Sequence, residues 1–530
     1  MKTKNTSPIF HSYIPKSLAK VLLFVLLLPN MLLFFLPIAN IDVASGYFGI
    51  EPNEVQFMIS LYYIGFVAFY SLERRFYSYF TYKRYFLIFQ LVQILCCVIL
   101  FSTSNLLLLY AVRFFQGMLF ASAVNLYLSM ISLKLKTFRA KEVSYSLFFG
   151  MLLCTSSVNN LVTADLIDHF NFDFLFQCMV LLYALNLMIV LITMKLNIDI
   201  KSIPLFQLDV SSFIYFSIFL IGLGYCGIFG QQYYWLQSRT IAITTIISFT
   251  ALLLFIFRQF LLKRPYIDLK IFFFRKYLFG IVILFLMYIC RFSFSYSGQF
   301  FKNVLGMDPK HVSYMYALNL IGIIIGVSYS CWHLITKKNI FVLWVTGFIT
   351  LFMYHFIMNK QMFYYGNEIN YFVPMSLHGI GIGLIMVPTI LYCISSVTYY
   401  LAPSAAAFCL FIRFLGYTAS GILVNYYTIY NTSIHKDRFM NSIQISNPIY
   451  QERFGLIKQK LLQNGFNQST INVTSTTVLN KDIKKHLLLR SVMDYYTMMM
   501  YVSITVLILL LLYWLYQKRI DIKIRSILPI

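Results

Sequence analysis

Three arginines stand inside long apolar runs. They are Arg113 (Arg113, Phe114, Phe115, Gln116, Gly117), Arg291 (Cys290, Arg291, Phe292, Ser293) and Arg413 (Ile412, Arg413, Phe414, Leu415, Gly416). An ionised side chain at the centre of a bilayer costs about 2.5 to 3.5 kcal/mol, so each needs a partner or a task. One reading pairs each guanidinium with a buried carboxylate or carbonyl that fixes packing. The other turns it into a polar cavity, where a fixed positive charge binds an anionic group or shifts the pKa of a nearby carboxylate. Gln116 and Gly117 follow Arg113 within a turn, and glycine lets a second backbone approach closely.

Carboxylates in such runs are scarcer. Asp42 and Asp165 lie at run ends, either as proton sites or as interfacial loop acids. Between Arg113 and Asp165 runs a polar stripe of Thr155, Ser156, Ser157, Asn159, Asn160 and Thr163, either helix-packing glue or the wall of a shared cavity. His378, just ahead of Gly379, Gly381 and Gly383, titrates in a useful range or serves as a packing residue; Pro388 kinks the same segment.

The elements that must hold these residues follow from hydropathy. The chain is 60% hydrophobic and 18% aromatic, with a mean hydropathy of +0.74, far beyond what a soluble core hides. About fourteen apolar stretches, most near the ~20 residues a spanning helix needs, fall at 19–40, 54–72, 85–103, 105–131, 143–165, 173–194, 210–230, 239–262, 277–300, 312–333, 340–358, 371–397, 403–426 and 496–517. Backbone groups in lipid must be satisfied within their own segment, so the fold class is an all-α polytopic bundle and not a barrel. The spacing predicts six spans, two, then six: an N-terminal half at 1–205, a hairpin at 206–264 and a C-terminal half at 265–530.

Charge sets the expected orientation. Even-to-odd loops are basic, with Arg74, Arg75, Lys83 and Arg84; Lys134, Lys136, Arg139 and Lys141; Arg258, Lys263, Arg264, Arg275 and Lys276; and Lys337 and Lys338. Odd-to-even loops are poor in bases or carry Asp42, Glu51 and Glu54, or Asp165, Asp168 and Asp173. Both termini are therefore expected on the cytoplasmic side of an inner membrane. The net charge of +24 is topology facing anionic headgroups, not a nucleic-acid footprint. The first run lacks a cleavage site and is expected to remain as span one. All nine cysteines fall in or beside spans, which suggests neither a disulfide framework nor a metal cluster. A polar outer loop at about 427–490 is expected to carry short amphipathic helices near 448–462 and 481–494, as a solvated linker or a docking surface.

These features together resemble the fourteen-span drug:proton antiporter branch of the major facilitator superfamily, the EmrB-like and QacA-like exporters. Arg113, Gln116 and Gly117 match its span-four arginine motif. Gly224, Gly230, Trp235 and Ser238 look like its span-seven to span-eight turn. Val304, Leu305, Gly306 and Pro309 are similar to the stretch after span nine, and His378 to Pro388 and Arg413 to Gly421 to its spans twelve and thirteen. The chain departs from the pattern after span two, where Ser71, Leu72, Glu73, Arg74 and Arg75 keep the charge but not the glycines and Asp. It departs again in span five, where Gly150, Cys154, Thr155 and Ser156 replace a Pro- and Gly-rich motif, and in span one, where the family's acid falls near Asn30.

The resemblance implies two six-helix halves rocking about a central cavity and export of amphipathic small molecules against protons. Arg113, Gln116, Gly117, Asn30, Arg291 and Arg413 would belong to the cavity, with Asp42, Asp165 and His378 as proton-coupling candidates. A periplasmic adaptor and an outer-membrane channel are the partners such exporters use. Aromatic faces such as Tyr62, Tyr63, Tyr127 and Tyr296 could meet a ligand or simply fill the core. Uptake or proton-independent transport of an organic anion or siderophore fits the same fold. A polytopic glycosyl- or acyltransferase is the reading from another class, with Asp42, Glu51 and Glu54 as metal ligands. There is no phosphate-binding P-loop for nucleotide chemistry, and no cofactor is implied.

Overall fold

In a computed structural model, the residues described are 10–36, 41–79, 82–134, 140–195, 208–440, 447–465 and 467–527. They form helices α1 (Lys16–Phe35), α2 (Ile41–Phe48), α3 (Pro52–Tyr79), α4 (Tyr82–Ser102), α5 (Leu106–Lys134), α6 (Ala140–His169), α7 (Asp173–Thr193), α8 (Val210–Phe229) and α9 (Arg239–Leu261). There follow α10 (Arg275–Asn303), α11 (Pro309–Ile335), α12 (Ile340–Lys360), α13 (Ile369–Ser395), α14 (Ala402–Asn425), α15 (Thr432–Met440), α16 (Pro448–Gln463) and α17 (Gln468–Ile527). Among the described residues, fourteen helical segments are long and apolar enough to cross a membrane, the number the hydropathy pattern predicts. The expected division near residue 205 falls at 196–207, outside the described residues.

Local chemistry sets the helix starts. The Asp209 side chain accepts from Ser212 N at the start of α8, Asn339 from Phe341 N at α12, and Asn447 from Ile449 N at α16, each satisfying a donor that the first turn leaves free. Pro309 opens α11, where its missing N–H costs nothing.

Two boundaries differ from the hydropathy reading, while the expected end of span one at 40 falls at 37–40, outside the described residues; Asp42 sits in the first turn of α2. Span thirteen does not stop near 426 but continues through a π-helical turn, Tyr426–Asn431, into α15. The first loop helix forms as α16, whereas the second is not separate: α17 runs unbroken for 60 residues. Nothing between Gln468 and Ile527 is Gly or Pro, so no residue terminates it.

The helix pairings repeat. In the first six spans α3 packs on α5, α4 on α7, and α1 on α5 and α6. In the last six, α11 packs on α13, α12 on α17, and α10 on α13 and α14. The same ordinal positions meet in each set, which is the signature of an internal structural repeat. Both second-to-fourth crossings rest on glycine. A Cβ on Gly117 would overlap the Tyr62 carbonyl and one on Gly65 the Phe114 carbonyl, while Gly322 and Gly379 stand likewise against the Ser376 and Asn319 carbonyls. The two sets meet along α6 against α11 and α3 against α14. The hairpin α8–α9 lies against α3 and α14 through α8, and Arg258 on α9 joins its two helices by pairing with Asp209 at 2.9 Å.

Candidate binding cavity

Between the two sets lies a cavity of about 370 Å³. Its mouth, at the end expected to face outward, is formed by Asp42 on α2, Pro52 on α3, Lys302 and Asn303 on α10, and Thr428. Deeper, α6 contributes Leu153, Ser156, Ser157 and Asn160; α10 Arg291, Phe292 and Phe294; α11 Tyr316 and Asn319; α13 His378; and α14 Tyr417 and Thr418. Ser156, Ser157 and Asn160 of the α6 stripe thus form one wall, and the other mixes aromatic rings with Arg291, Asn319 and His378. This is the mixture small amphipathic ligands use.

Arg291 is the formal charge at the base of the cavity, about 18 Å below the outer end of α10 at ~1.5 Å per residue. Its Nη1 donates to the Tyr288 hydroxyl at 3.2 Å, and its guanidinium stacks on Tyr288 and Phe292 at 5.4 and 5.3 Å. Arg413, from α14, donates its Nε to the same Tyr288 oxygen at 2.7 Å and lies over Phe149 at 5.2 Å. Two guanidiniums on one oxygen place their bonding nitrogens within roughly 6 Å of each other, where like charges repel by about 3 kcal/mol even at an effective dielectric near 20. Among the described residues neither meets a carboxylate in a salt bridge. Tyr288 spreads the charge by accepting twice while its own proton points to Met386 Sδ at 3.9 Å.

His378 is built into a chain that crosses the two sets. Ser157 Oγ on α6 donates to Asn319 Oδ1 at 3.2 Å, Asn319 Nδ2 donates to His378 Nδ1 at 2.9 Å and to the Met375 carbonyl at 3.0 Å, and His378 Nε2 donates to the Arg291 carbonyl at 3.1 Å. Those partners fix the neutral tautomer with its proton on Nε2. Asp42 and Lys302 share the mouth. Asp165 lies near the outer end of α6, with its side chain outside the described residues.

Arg113 is placed elsewhere. It is fully buried within the first set, away from the cavity wall. Its Nη1 donates to the Leu33 carbonyl at 3.3 Å and to Gln116 Oε1 at 3.2 Å, its Nη2 to the Phe34 carbonyl at 3.4 Å, and its plane lies 4.8 Å from the Tyr62 ring. Residue 37 is proline, so the Leu33 carbonyl finds no amide donor four residues on, and the guanidinium caps this end of α1. Gln116 Nε2 reaches Cys97 Sγ at 3.8 Å, and Gly117 makes the close crossing with α3. Asn30 follows the helix-interior Pro29; its Oδ1 accepts from Tyr183 at 3.0 Å and its carbonyl from Tyr62 at 3.3 Å. Asn30, Gln116 and Gly117 thus gather around Arg113 in one network, and Arg291, Arg413 and His378 in another.

A second, much smaller pocket lies on the other side of Arg413, lined by Tyr70, Tyr145, Phe149, Ile394, Cys409 and Arg413 among others from both sets. Between the two pockets stands a partition of rings, with Tyr63 against Phe414 at 5.5 Å and against Tyr417 at 5.8 Å. Sequence reasoning misses Tyr288, Asn319 and Lys302. Tyr288 is one of 41 tyrosines, and only its place one turn before Arg291 singles it out.

Spans in two matched sets, enclosing a cavity with a second pocket beyond its floor, make up the architecture of a secondary transporter. The chain belongs to the major facilitator superfamily, whose sequence profile matches residues 22–423. A bacterial homologue of the human drug peptide transporters PepT1 and PepT2 is similar in fold, with a TM-score of 0.58 over 96% of this chain and 100% of that one at 10% identity. The peptide transporter PepTSo2 gives 0.56 over 96% and 100% at 11% identity. The human organic anion transporter MFSD10 gives 0.51 over 78% and 94%, also at 11% identity. No curated protein matches the sequence.

Proposed function

We propose that this protein exports an amphipathic organic anion across the inner membrane by alternating access, with both termini cytoplasmic and the large cavity open to the outside. The observation that carries the reading is the pair Arg291 and Arg413, two guanidiniums on one phenol oxygen with no described carboxylate between them. An anion seated at Arg291 relieves their repulsion, whereas a cation would add to it. Phe292, Phe294 and Tyr417 offer the apolar faces an amphipathic body needs. Export of an anion from a cell that is negative inside is favoured by about 2.3 kcal/mol per charge per 100 mV. It needs no acidic residue in span one, where Asn30 stands.

Exchange against protons is the second reading, favoured by Asp42, a carboxylate in the cavity wall near Lys302. The helices α16 and α17 pack on each other at the same end as the mouth, the surface an adaptor would meet.

Purified protein in liposomes loaded with carboxyfluorescein or with ethidium separates these readings. Anion efflux should follow an imposed membrane potential, persist without a pH gradient, and fall at least tenfold in Arg291→Gln. Ethidium movement that is unaffected by Arg291→Gln would overturn the anion reading.

A further inference from the structure

We infer that Arg291, Tyr288 and Arg413 form a two-faced anion site: Arg413 receives the anion from the inner side, Arg291 releases it to the outer side, and Tyr288 is the pivot between them. This rests on the anion reading above. Arg291 lines the large cavity and Arg413 the small inner pocket, and no residue lines both. The two guanidiniums nevertheless share one oxygen, at 3.2 and 2.7 Å. A ligand moving from one face to the other therefore shifts by one side chain and stays within reach of positive charge throughout.

All three residues come from α10 and α14, in the last six spans. The first six contribute the covers: Phe149 of α6 lies over Arg413 at 5.2 Å, and Tyr63 of α3 closes on Phe414 and Tyr417. Motion of the first set thus changes which arginine is exposed without dismantling the charge site. The phenol suits the pivot, because its neutral oxygen accepts one hydrogen bond from each guanidinium, and an arriving anionic oxygen outcompetes it. A carboxylate there would hold both arginines permanently.

A disulfide gives access to one face alone. A Cβ on Gly150 of α6 would lie 3.8 Å from the Cβ of Val327 on α11, the mean separation in disulfides, about 3.8 Å. Gly150→Cys with Val327→Cys, in a chain otherwise free of cysteine, should therefore oxidise in the state described. In that locked protein, carboxyfluorescein binding read by anisotropy should weaken more than tenfold with Arg291→Gln and less than about fivefold with Arg413→Gln. In unlocked protein in liposomes, Arg413→Gln should cut flux more than tenfold. Arg413→Lys should restore some of it, and Tyr288→Phe should slow flux. Equal loss of locked-state binding in both glutamine variants, or wild-type flux in Arg413→Gln, would overturn the two-faced site. Wild-type protein that neither binds nor moves carboxyfluorescein or other aromatic sulfonates and carboxylates would instead overturn the anion reading itself. Intact thermal transitions of the glutamine variants separate either result from misfolding.

Discussion

At the scale of single residues, the same side chain does two kinds of work here. Arg113 closes the end of α1 by donating to the Leu33 and Phe34 carbonyls, while Arg291 leaves some of its donor capacity in a cavity. Replacing Arg113 with Met strands those carbonyls, so the first set should lose about 2 to 4 kcal/mol, read as a lowered thermal transition. Anion affinity should stay within about twofold. A large affinity loss with unchanged melting would place Arg113 in the binding site after all. That the three arginines need partners was legible in the sequence, because charge in an apolar run is conspicuous. Which partner each takes was not. The carbonyls that hold Arg113 lie in the last turn of α1, a backbone feature that hydropathy does not mark. The oxygen that joins Arg291 to Arg413 belongs to a residue 125 positions from Arg413.

At the scale of elements, hydropathy located the spans well because bilayer thickness fixes their length and each carries its own backbone hydrogen bonds. It failed where helices leave the membrane. There no change of solvent marks a boundary in the backbone, and only a breaker residue ends a helix; α17 has none and runs from the outer loop through the last span. Its outer stretch is tied to the turn between α12 and α13 by Tyr364. The phenol donates to Asp482 at 2.9 Å and the ring stacks on His486 at 4.4 Å. Burial and the neighbouring Asp482 carboxylate push the Tyr364 pKa up to about 12, so the donor keeps its proton throughout the physiological range. Tyr364→Ala should loosen this contact by about 1 to 2 kcal/mol. Amide exchange should then accelerate roughly five- to thirtyfold in α16 and the first turns of α17, and remain unchanged in the spans. Acceleration spread through α12 and α13 would mean that Tyr364 supports the bundle instead.

At the scale of the whole molecule, the repeated pairings, the glycine crossings of α3 with α5 and α11 with α13, and the cavity on one side of a ring partition describe a bistable body. Two tightly packed sets meet along α6 with α11 and α3 with α14, and on the proposed alternating-access reading a shift along those seams would open one pocket as it closes the other. The most direct measurement is reciprocal labelling of two single-cysteine forms by an impermeant maleimide during anion transport. One form carries Ser295→Cys in the large cavity, and the other keeps the native Cys409 of the small pocket. With anion supplied from the cytoplasmic side or from the outside in turn, conditions that speed labelling of Cys409 should slow labelling at position 295 by a comparable factor. If both rates rise together, or if Cys409 stays unreactive while anion crosses, the two pockets are not alternating faces of one pathway and the account fails.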